Sequence, residues 1–503
     1  MPTETAHDFY WQRLWKQFKQ HRIGWVSLYV IFGFFLAATY APFLASSKPI
    51  FVFYDDEAYF PLFRYLFYSE FFTKRLDLFF NLLIFTFPLG CICWKLFKNK
   101  PKVLKVALIS LCLLQLLLFA YVINRKTIDP ASNAVLTEER QKAIKLHPLP
   151  DWNLDLSYMS PYAKLNMILR YDQQKKQHEI LSTYIPKHPT DLVPATLWGI
   201  ERDRDKKEIL RQKNILEKNK SSNHNNTLTS EYANAKIQYI ENRHAWLEKE
   251  SQQLKFLVMP LIRPYHWEDD AGGEQSLNRS LPWWELTRIN HKDLVAALLF
   301  GTRISLVVGI LSVAIAIIIA IPIGALAGFY GGTIDIIVSR LLEVWESMPT
   351  FFMLLMIVAI TGSKSIFLVI GIIGFFGWTG FSRYIRGEFF KQRNLPYVEA
   401  CKALGYSEKY TMFIHILPNA IPPLLTLLPF AVMGAITSEA GLSFLGLGEE
   451  GSCSWGVLMD EGRTAFPGES YLLWPPAILL TLLLIAIALV GDALRDAMDP
   501  RKT

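Results

Sequence analysis

Asn394-Leu395-Pro396-Tyr397-Val398-Glu399-Ala400-Cys401-Lys402-Ala403-Leu404-Gly405-Tyr406-Ser407-Glu408-Lys409 is a polar stretch set between apolar runs, and it closes on His415-Ile416-Leu417-Pro418-Asn419. Its residues predict two short helices about a glycine. Asn394 suits an N-cap, and Pro396 costs little in a first turn, where its missing N–H would be an orphan anyway. Tyr397, Val398, Cys401 and Leu404 recur at helical spacing and predict one apolar face, with Glu399 and Lys402 turned elsewhere. Gly405 suits a C-terminal stop, Ser407 an N-cap for the next short helix, and Pro418 leads into the following apolar run. A membrane protein that presents two such helices is expected to use them to dock a cytoplasmic partner.

Outward from this stretch the chain is rich in apolar runs. Of its 503 residues, 51% are hydrophobic and 14% aromatic, which excludes an ordinary soluble protein. A hydrocarbon core of ~30 Å takes about 20 apolar residues to cross. Eight candidate spans follow: Ile23–Leu44, Leu76–Trp94, Val103–Ile123, Ile304–Gly328, Phe351–Ile360 with its flanks, Ile366–Phe381, Ile421–Ala440 and Leu472–Val490. The fifth and sixth meet at Thr361-Gly362-Ser363-Lys364-Ser365, which predicts a tight turn. The first span is too long and too deep in the chain for a cleavable signal. The five cysteines (Cys91, Cys93, Cys112, Cys401, Cys453) form neither a disulfide framework nor a C-x-x-C metal pair.

The formal charge of +7 does not point to nucleic acid, because the basic residues gather at span ends. Arg13, Lys16, Lys19 and Arg22 precede the first span, and Lys95, Lys98, Lys100, Lys102 and Lys105 surround the turn between the second and third. Arg383, Arg386, Lys391, Arg393, Lys402 and Lys409 follow the sixth, and Arg495, Arg501 and Lys502 the eighth. Eight crossings put all four groups, and both termini, in the cytoplasm. The loop Gly441–Tyr471, with Glu449, Glu450, Asp460, Glu461 and Glu469, then falls outside.

Composition separates three regions: 1–125 with spans one to three, a polar region 126–295, and 296–503 with five spans and the loop at 394–418. Within the polar region, Gly199–Lys220 and Glu231–Leu257 flank the breaker Ser221-Ser222-Asn223-His224-Asn225-Asn226-Thr227 and predict an antiparallel helical hairpin. The expected fold class is an all-α polytopic membrane protein: a six-span permease core, two extra spans and a largely helical extracytoplasmic insert. The insert is expected either to meet a delivery partner or shape the outer mouth of a path, or to be a tolerated insertion, since long loops add little closure entropy.

Glu399-Ala400-Cys401, then Gly405, then Leu417-Pro418 resembles the EAA loop of ABC importer permeases, with Cys401 in place of the usual second alanine. Phe300-Gly301-Thr302-Arg303-Ile304-Ser305-Leu306 is similar to G-[TA]-R-x-S-L of the C-type subunits in the dipeptide/oligopeptide/nickel group. Gly328-Phe329-Tyr330-Gly331-Gly332 with Asp335 resembles their G-x-x-G-G-x-x-D turn, and Ser347-Met348-Pro349 the start of their next span. Glu439-Ala440-Gly441-Leu442-Ser443-Phe444-Leu445-Gly446-Leu447-Gly448 with Ser454-Trp455-Gly456 resembles E-A-x-L-S-F-L-G-L-G and S-W-G. The tail Gly491-Asp492-Ala493-Leu494-Arg495-Asp496 through Arg501 resembles G-D-x-L-R-D-x-x-D-P-R. Lys48-Pro49, Tyr54-Asp55 and Tyr59-Phe60-Pro61-Leu62 look like the Yej-type peptide permeases. The stretch 285–293 departs from the family's L-G-T-D-x-x-G-R-D, keeping only Thr287 and Asp293.

The resemblance implies a transmembrane subunit of an ATP-driven importer in the bacterial inner membrane, forming half of a path for peptides. It implies as partners a second permease subunit in a heterodimer, two ATPase subunits and an extracytoplasmic substrate-binding protein. Glu399, Ala400, Cys401, Gly405, His415, Leu417 and Pro418 would couple to the ATPase, with His415 facing it. Glu439, Ser443 and Phe444 are candidates for gating or for the path, an ionisable residue in a span being a functional candidate by default. Glu439 near the interface is expected to be a hydrated carboxylate. No G-x-x-x-x-G-K-[ST] occurs: Lys364-Ser365 has its tail, but Ser363 and Val358 replace the glycines. No cofactor, metal or catalytic residue is therefore expected in this chain, and ATP with Mg²⁺ would be bound by the partners. A nickel or other small-solute permease, or a channel-like scaffold that docks a cytoplasmic partner, are the alternatives left open.

Overall fold

The computed structural model describes residues 14–184, 196–221, 227–268, 288–289, 292–464 and 472–498. Arg13, the 222–226 breaker, most of 285–291, Glu469 and the tail from residue 499 lie outside them. Contacts draw the boundaries differently from composition. One compact unit, the core unit, consists of Met1–Ala38 with Leu298–Thr503, and the other, the inserted unit, of Thr39–Ala297. Spans two and three thus belong with the polar region rather than with the first span.

A helical turn over 14–20 precedes α1 (Arg22–Thr39). The inserted unit then starts with a β-hairpin, β1 (Phe51–Tyr54) and β2 (Glu57–Tyr59), registered through Val52–Tyr59 and Tyr54–Glu57. Its two loop residues, Asp55 and Asp56, both have positive φ (52° and 56°), the geometry of a type I′ turn that aspartate tolerates. Next come α2 (Arg75–Phe97) and α3 (Pro101–Asn124), an antiparallel pair whose turn is the expected lysine-rich one. Most of α3 is exposed; its buried residue is Gln115, which accepts from Thr86 Oγ1 at 2.7 Å and donates to the Phe79 carbonyl at 3.0 Å. In hydrocarbon such a mutually satisfied polar pair fixes the pairing of two otherwise featureless helices.

Two shorter helices, α4 (Ala134–Leu146) and α5 (Trp152–Ser157), precede the long α6 (Pro161–Tyr184), α7 (Leu197–Ser221) and α8 (Thr227–Ser251). Helices α7 and α8 form the expected hairpin. The reading of Glu231–Leu257 as helix throughout is corrected at its end: Lys255–Val258 is a strand, β3, added to the far side of β1. Val52, Tyr54, Tyr59, Leu165, Ile168 and Leu169 form the core against which β1 and α6 pack. The unit therefore begins before residue 126, because its central strand is Phe51–Tyr54. Asp293, a residue retained from the degenerate motif, is buried, accepts from Arg263 Nε at 3.0 Å and caps the Ala296 N–H at 2.9 Å.

The core unit continues with α9 (Leu294–Tyr330), α10 (Gly332–Glu346), α11 (Thr350–Thr361), α12 (Ile366–Phe376) and α13 (Trp378–Gln392). Seven helices among the described residues are long and apolar enough to cross a membrane, and an eighth crossing is reached only by joining α10 to α11. That corrects the fifth span. Helix α11 has 12 residues, about 18 Å at 1.5 Å per residue, and α10 turns from it by 70° at 347–349. Gly362 ends α11 at φ 61° and Ser365 begins α12, as the tight turn requires. The chain then passes through α14 (Pro396–Ala403) and α15 (Leu417–Leu424) to α16 (Leu428–Leu442), α17 (Trp455–Thr464) and α18 (Trp474–Met498). The seventh span begins at Leu428 rather than Ile421, after a break that follows Pro422 and Pro423.

Candidate functional site

The 394–418 loop folds as two helical pieces about Gly405. Leu395, not Asn394, is the N-cap of α14, and Pro396 occupies its first turn. Val398 and Cys401 turn inward and Tyr397 is half-buried, its hydroxyl donating to Gln392 Oε1 at 2.7 Å. Leu404 does not complete that face: it is 72% exposed, because the helix ends at Ala403. Gly405 takes φ 76°, a left-handed turn that lets the Tyr406 N–H reach the Cys401 carbonyl at 3.1 Å. Ser407 Oγ caps the next turn by accepting from the Tyr410 N–H at 3.3 Å. A wider-wound segment, Thr411–Ile416, then runs directly into α15, where Leu417 and Pro418 form the first turn.

Glu399, Ala400, Lys402 and Gly405 are exposed, as are the neighbouring Leu404, Tyr406, Tyr410, Phe413 and Ile414. Tyr406 and Tyr410 lie ring to ring, 5.2 Å apart, and His415 is half-buried beside them. Its ring stacks on Tyr406 (5.6 Å) and meets Tyr410 edge-on (5.4 Å), with Nε2 buried inside the turn.

A hydrogen bond ties the loop to the end of α9, and further bonds join α9, α10 and α13 to one another. Tyr330 donates to Glu408 Oε2 at 2.8 Å, and Arg393 Nη1 donates to the carbonyls of Gly328 and Phe329 at 3.3 and 3.4 Å. Gly331 sits at φ 69°, strained for any other residue, and a Cβ there would lie 2.6 Å from Arg393 Nη1 and displace that guanidinium. Asp335 receives both Nε and Nη2 of Arg386, the latter at 2.9 Å, and Arg383 pairs with Glu346. The glycine-rich turn and the loop, separate motifs in the sequence, form one site. The roles of Arg386 and Arg393 were missed because basic residues at span ends were read only as topology signals. The aspartate at a fixed offset from the glycines was the available hint.

A second cluster joins the remaining motifs. Glu439 is 2% exposed, not a hydrated interfacial carboxylate, and among the described residues the hydroxyls of Ser443 (2.7 Å) and Ser454 hold it. Beyond α16, Ser443–Leu447 makes one wide turn, with Gly446 at φ 79° reversing the chain. Gly448 and Gly456 lie so close to Ser443 that any Cβ would come within 2.6 Å of its side chain. Phe444 is half-buried under the Arg463 guanidinium, 5.2 Å away. Trp455, fully buried, donates to the Leu298 carbonyl at 3.0 Å, and a Cβ on Gly301 would meet the Cys453 carbonyl at 2.4 Å. Arg303, also fully buried, donates to the Ala38 carbonyl at 2.7 Å. Gly301-Thr302-Arg303 and Ser454-Trp455-Gly456 are thus two halves of one contact.

These elements define a polytopic α-helical membrane protein with an exposed, partly apolar loop at 394–418. Residues 320–503 match the family described as binding-protein-dependent transport system inner membrane component, and residues 10–61 the N-terminal TM domain of oligopeptide transport permease C. The peptidoglycan transport system permease protein YejE of Agrobacterium fabrum is 37% identical over 221 residues, 44% of this chain and 58% of that one. The inner membrane ABC transporter permease protein YejE of Escherichia coli is 35% identical over 220 residues, 44% of this chain and 64% of that one. The oligopeptide transport system permease protein OppC of Haemophilus influenzae is 34% identical over 247 residues, 48% of this chain and 79% of that one. The matches to the two YejE proteins span less than two thirds of their length. The chain belongs to the binding-protein-dependent transport permeases of the OppC type, multi-pass proteins of the inner membrane. Residues 62–319, which include most of the inserted unit, lie outside both family matches.

Proposed function

We propose that this chain forms one half of the translocation path of an ATP-driven peptide importer. A second permease subunit completes the path, two ATPase subunits bind ATP and Mg²⁺, and an extracytoplasmic binding protein delivers the peptide. Both termini and the 394–418 loop face the cytoplasm, and the polar region 126–295 of the inserted unit faces the side from which substrate arrives. The observation that carries this reading is the hydrogen bond from Tyr330, the last residue of α9, to Glu408 of the exposed loop, alongside the Arg393 and Asp335–Arg386 contacts that join α9, α10 and α13. A push on the loop would pass through Tyr330–Glu408 to α9, and from there to α13 and α10 through the Arg393 and Asp335–Arg386 contacts. Relatives whose names specify peptide cargo support the substrate class.

The test is reconstitution with the companion subunits. Gly405→Pro cannot adopt φ 76°, and Glu399→Lys reverses an exposed charge at the docking face. Each variant is expected to reach the membrane and to lower ATP-dependent peptide uptake at least about tenfold, the effect of 1.4 kcal/mol. Wild-type uptake with unaltered ATPase copurification in both variants overturns the reading.

A further inference from the structure

The helical hairpin α2–α3 lies outside both family matches and carries a hollow that none of the motifs explains. The hollow takes in about 540 Å³ between the two helices. Phe87, Gly90 and Trp94 line it from α2, and Leu108, Leu111 and Cys112 from α3, each set at helical spacing and so on one face. Along α2 it runs from Phe79 to Trp94, about 22 Å at 1.5 Å per residue. Apart from two thiols, its polar side chains are Thr86 and Gln115, already bonded to each other at 2.7 Å. With those groups paired, the hollow offers water no partners and suits hydrocarbon.

The same two faces end in charge. Lys98, still helical in its backbone, lies four residues beyond Trp94, and Lys105 lies three before Leu108. Each therefore continues the row of side chains that lines the hollow. Lys95, Lys100 and Lys102 stand around them; all five are exposed, and none has an ion-pair partner among the described residues. No acidic residue occurs between Asp77 and Asp129. The first turn of α3 has no side-chain cap, so its free N–H groups add to the positive field. The preference of lysines for one side of the membrane accounts for their gathering at such a turn. It does not account for an apolar hollow in line with two of them.

We propose that α2–α3 binds one anionic phospholipid, with an acyl chain in the hollow and the headgroup phosphate on Lys98 and Lys105. The apolar lining complements a chain of methylenes, and unpaired lysines at a membrane surface attract a phosphate diester. A zwitterionic lipid would fill the hollow and leave the lysines without a net counter-charge; a soluble anion would do the reverse. The two features together select an amphiphile with a negative head. Of the candidate spans α3 is the least buried, which leaves the hollow open to lipid. The site is formed by the hairpin alone and exists whatever the transporter carries.

The purified full-length chain in detergent is offered equal amounts of dioleoyl phosphatidylglycerol and dioleoyl phosphatidylcholine, and bound lipid is read by native mass spectrometry. One phosphatidylglycerol per chain is expected, preferred at least about tenfold. The double variant Lys98→Gln, Lys105→Gln should bring the two lipids to equal retention. The double variant Lys95→Gln, Lys102→Gln removes the same charge away from the lining rows and should keep most of the preference. Cys112→Phe, at an exposed position, fills the hollow and should lose both lipids. The lysines are exposed too, so the lysine variants fold even if Cys112→Phe does not. Equal retention of the two lipids by the wild type, or none, overturns the proposal. So does the same loss in both lysine variants, which would mean diffuse attraction, or undiminished retention in a folded Cys112→Phe. Release of the lipid by excess glycerol 1-phosphate removes the acyl-chain contact, and release on assembly with companion subunits gives the hollow to a partner helix; either overturns the lipid site.

Discussion

In the core unit several helices approach most closely at glycines, whereas α6, α7 and α8 of the inserted unit are held to one another by charged and hydroxyl groups. Gly324 brings α9 onto α13 so closely that a Cβ would stand 2.5 Å from the Ser382 carbonyl, and Gly374 does the same for α12 against Ser312 at 2.8 Å. Across α6 and α8, by contrast, Glu248 accepts from Tyr171 (2.5 Å) and Lys175 (2.6 Å), while Asp205 of α7 takes Arg243 (3.1 Å) and His244 (2.7 Å) of α8. The difference follows from the solvent. Between helices in lipid, shape and backbone proximity supply the attraction, because lipid tails are as apolar as leucine. Helices in water tolerate charge on their faces, and hydrogen bonds to charged groups contribute there.

The contrast breaks most visibly at Gly301. Gly301→Val would drive a side chain into the Cys453 carbonyl and the Trp455 ring. The expected loss is about 3 kcal/mol, seen as loss of monodisperse protein on size exclusion in detergent. Full recovery of folded protein would show that the glycine contacts of the core are dispensable. Next in size is Glu439→Ala, which removes the acceptor for Ser443 inside a buried cluster. It is expected to cost about 2 kcal/mol, whereas Glu439→Gln keeps an acceptor and should melt close to wild type. Equal losses in both would mean that the negative charge, rather than the hydrogen bond, matters.

The inserted unit should respond to pH and salt instead. Its Lys175 and Tyr171 hydrogen bonds hold the Glu248 carboxyl below the ordinary 4.5. Its contribution is therefore complete above about pH 4.5 and disappears as pH falls through the lowered value. Glu248→Gln should cost no more than about 1 kcal/mol, since the pair is partly exposed and screened by salt. Thermal melts at pH 7 and pH 3 test this; an acid-induced loss that persists unchanged in the variant assigns the effect elsewhere. The smallest expected effect is at His178, which stacks on Trp198 and shares a hydrogen bond with Thr196 Oγ1 at 2.8 Å. Burial pushes its imidazole below the ordinary 6.5, against a weaker upward pull from Glu179. The unfolded chain takes up the proton first, so stability should decline as pH drops below about 6.5. His178→Gln should flatten that slope, and a slope of the same steepness in the variant would exclude His178 as its source.

Much of the molecule was legible because its signals are local. Apolar run length marked the helices, since each span must satisfy its own backbone in lipid. The turn at Gly362, the stop at Gly405 and the cap at Ser407 followed from single-residue chemistry. The hairpin α7–α8 followed from two polar helices around a breaker. The misjudged features share another character. Leu404 was placed on the buried face by periodicity, but whether a helix continues one more turn depends on what it packs against.

By itself, the sequence determined the class of protein, the membrane helices, the glycine-centred form of the 394–418 loop and the family, because hydropathy, capping and short motifs are properties of neighbours along the chain. Tertiary structure alone decided that β1 pairs with β3 across some 200 residues of chain, that α10 turns 70° from α11, and that Gly301 meets Cys453 and Tyr330 meets Glu408. Such pairings leave no period in the sequence. They exist because a particular void, carbonyl or hydroxyl is presented by a distant segment once the helices have packed, and only then does a glycine's missing side chain or a tyrosine's hydroxyl acquire a partner.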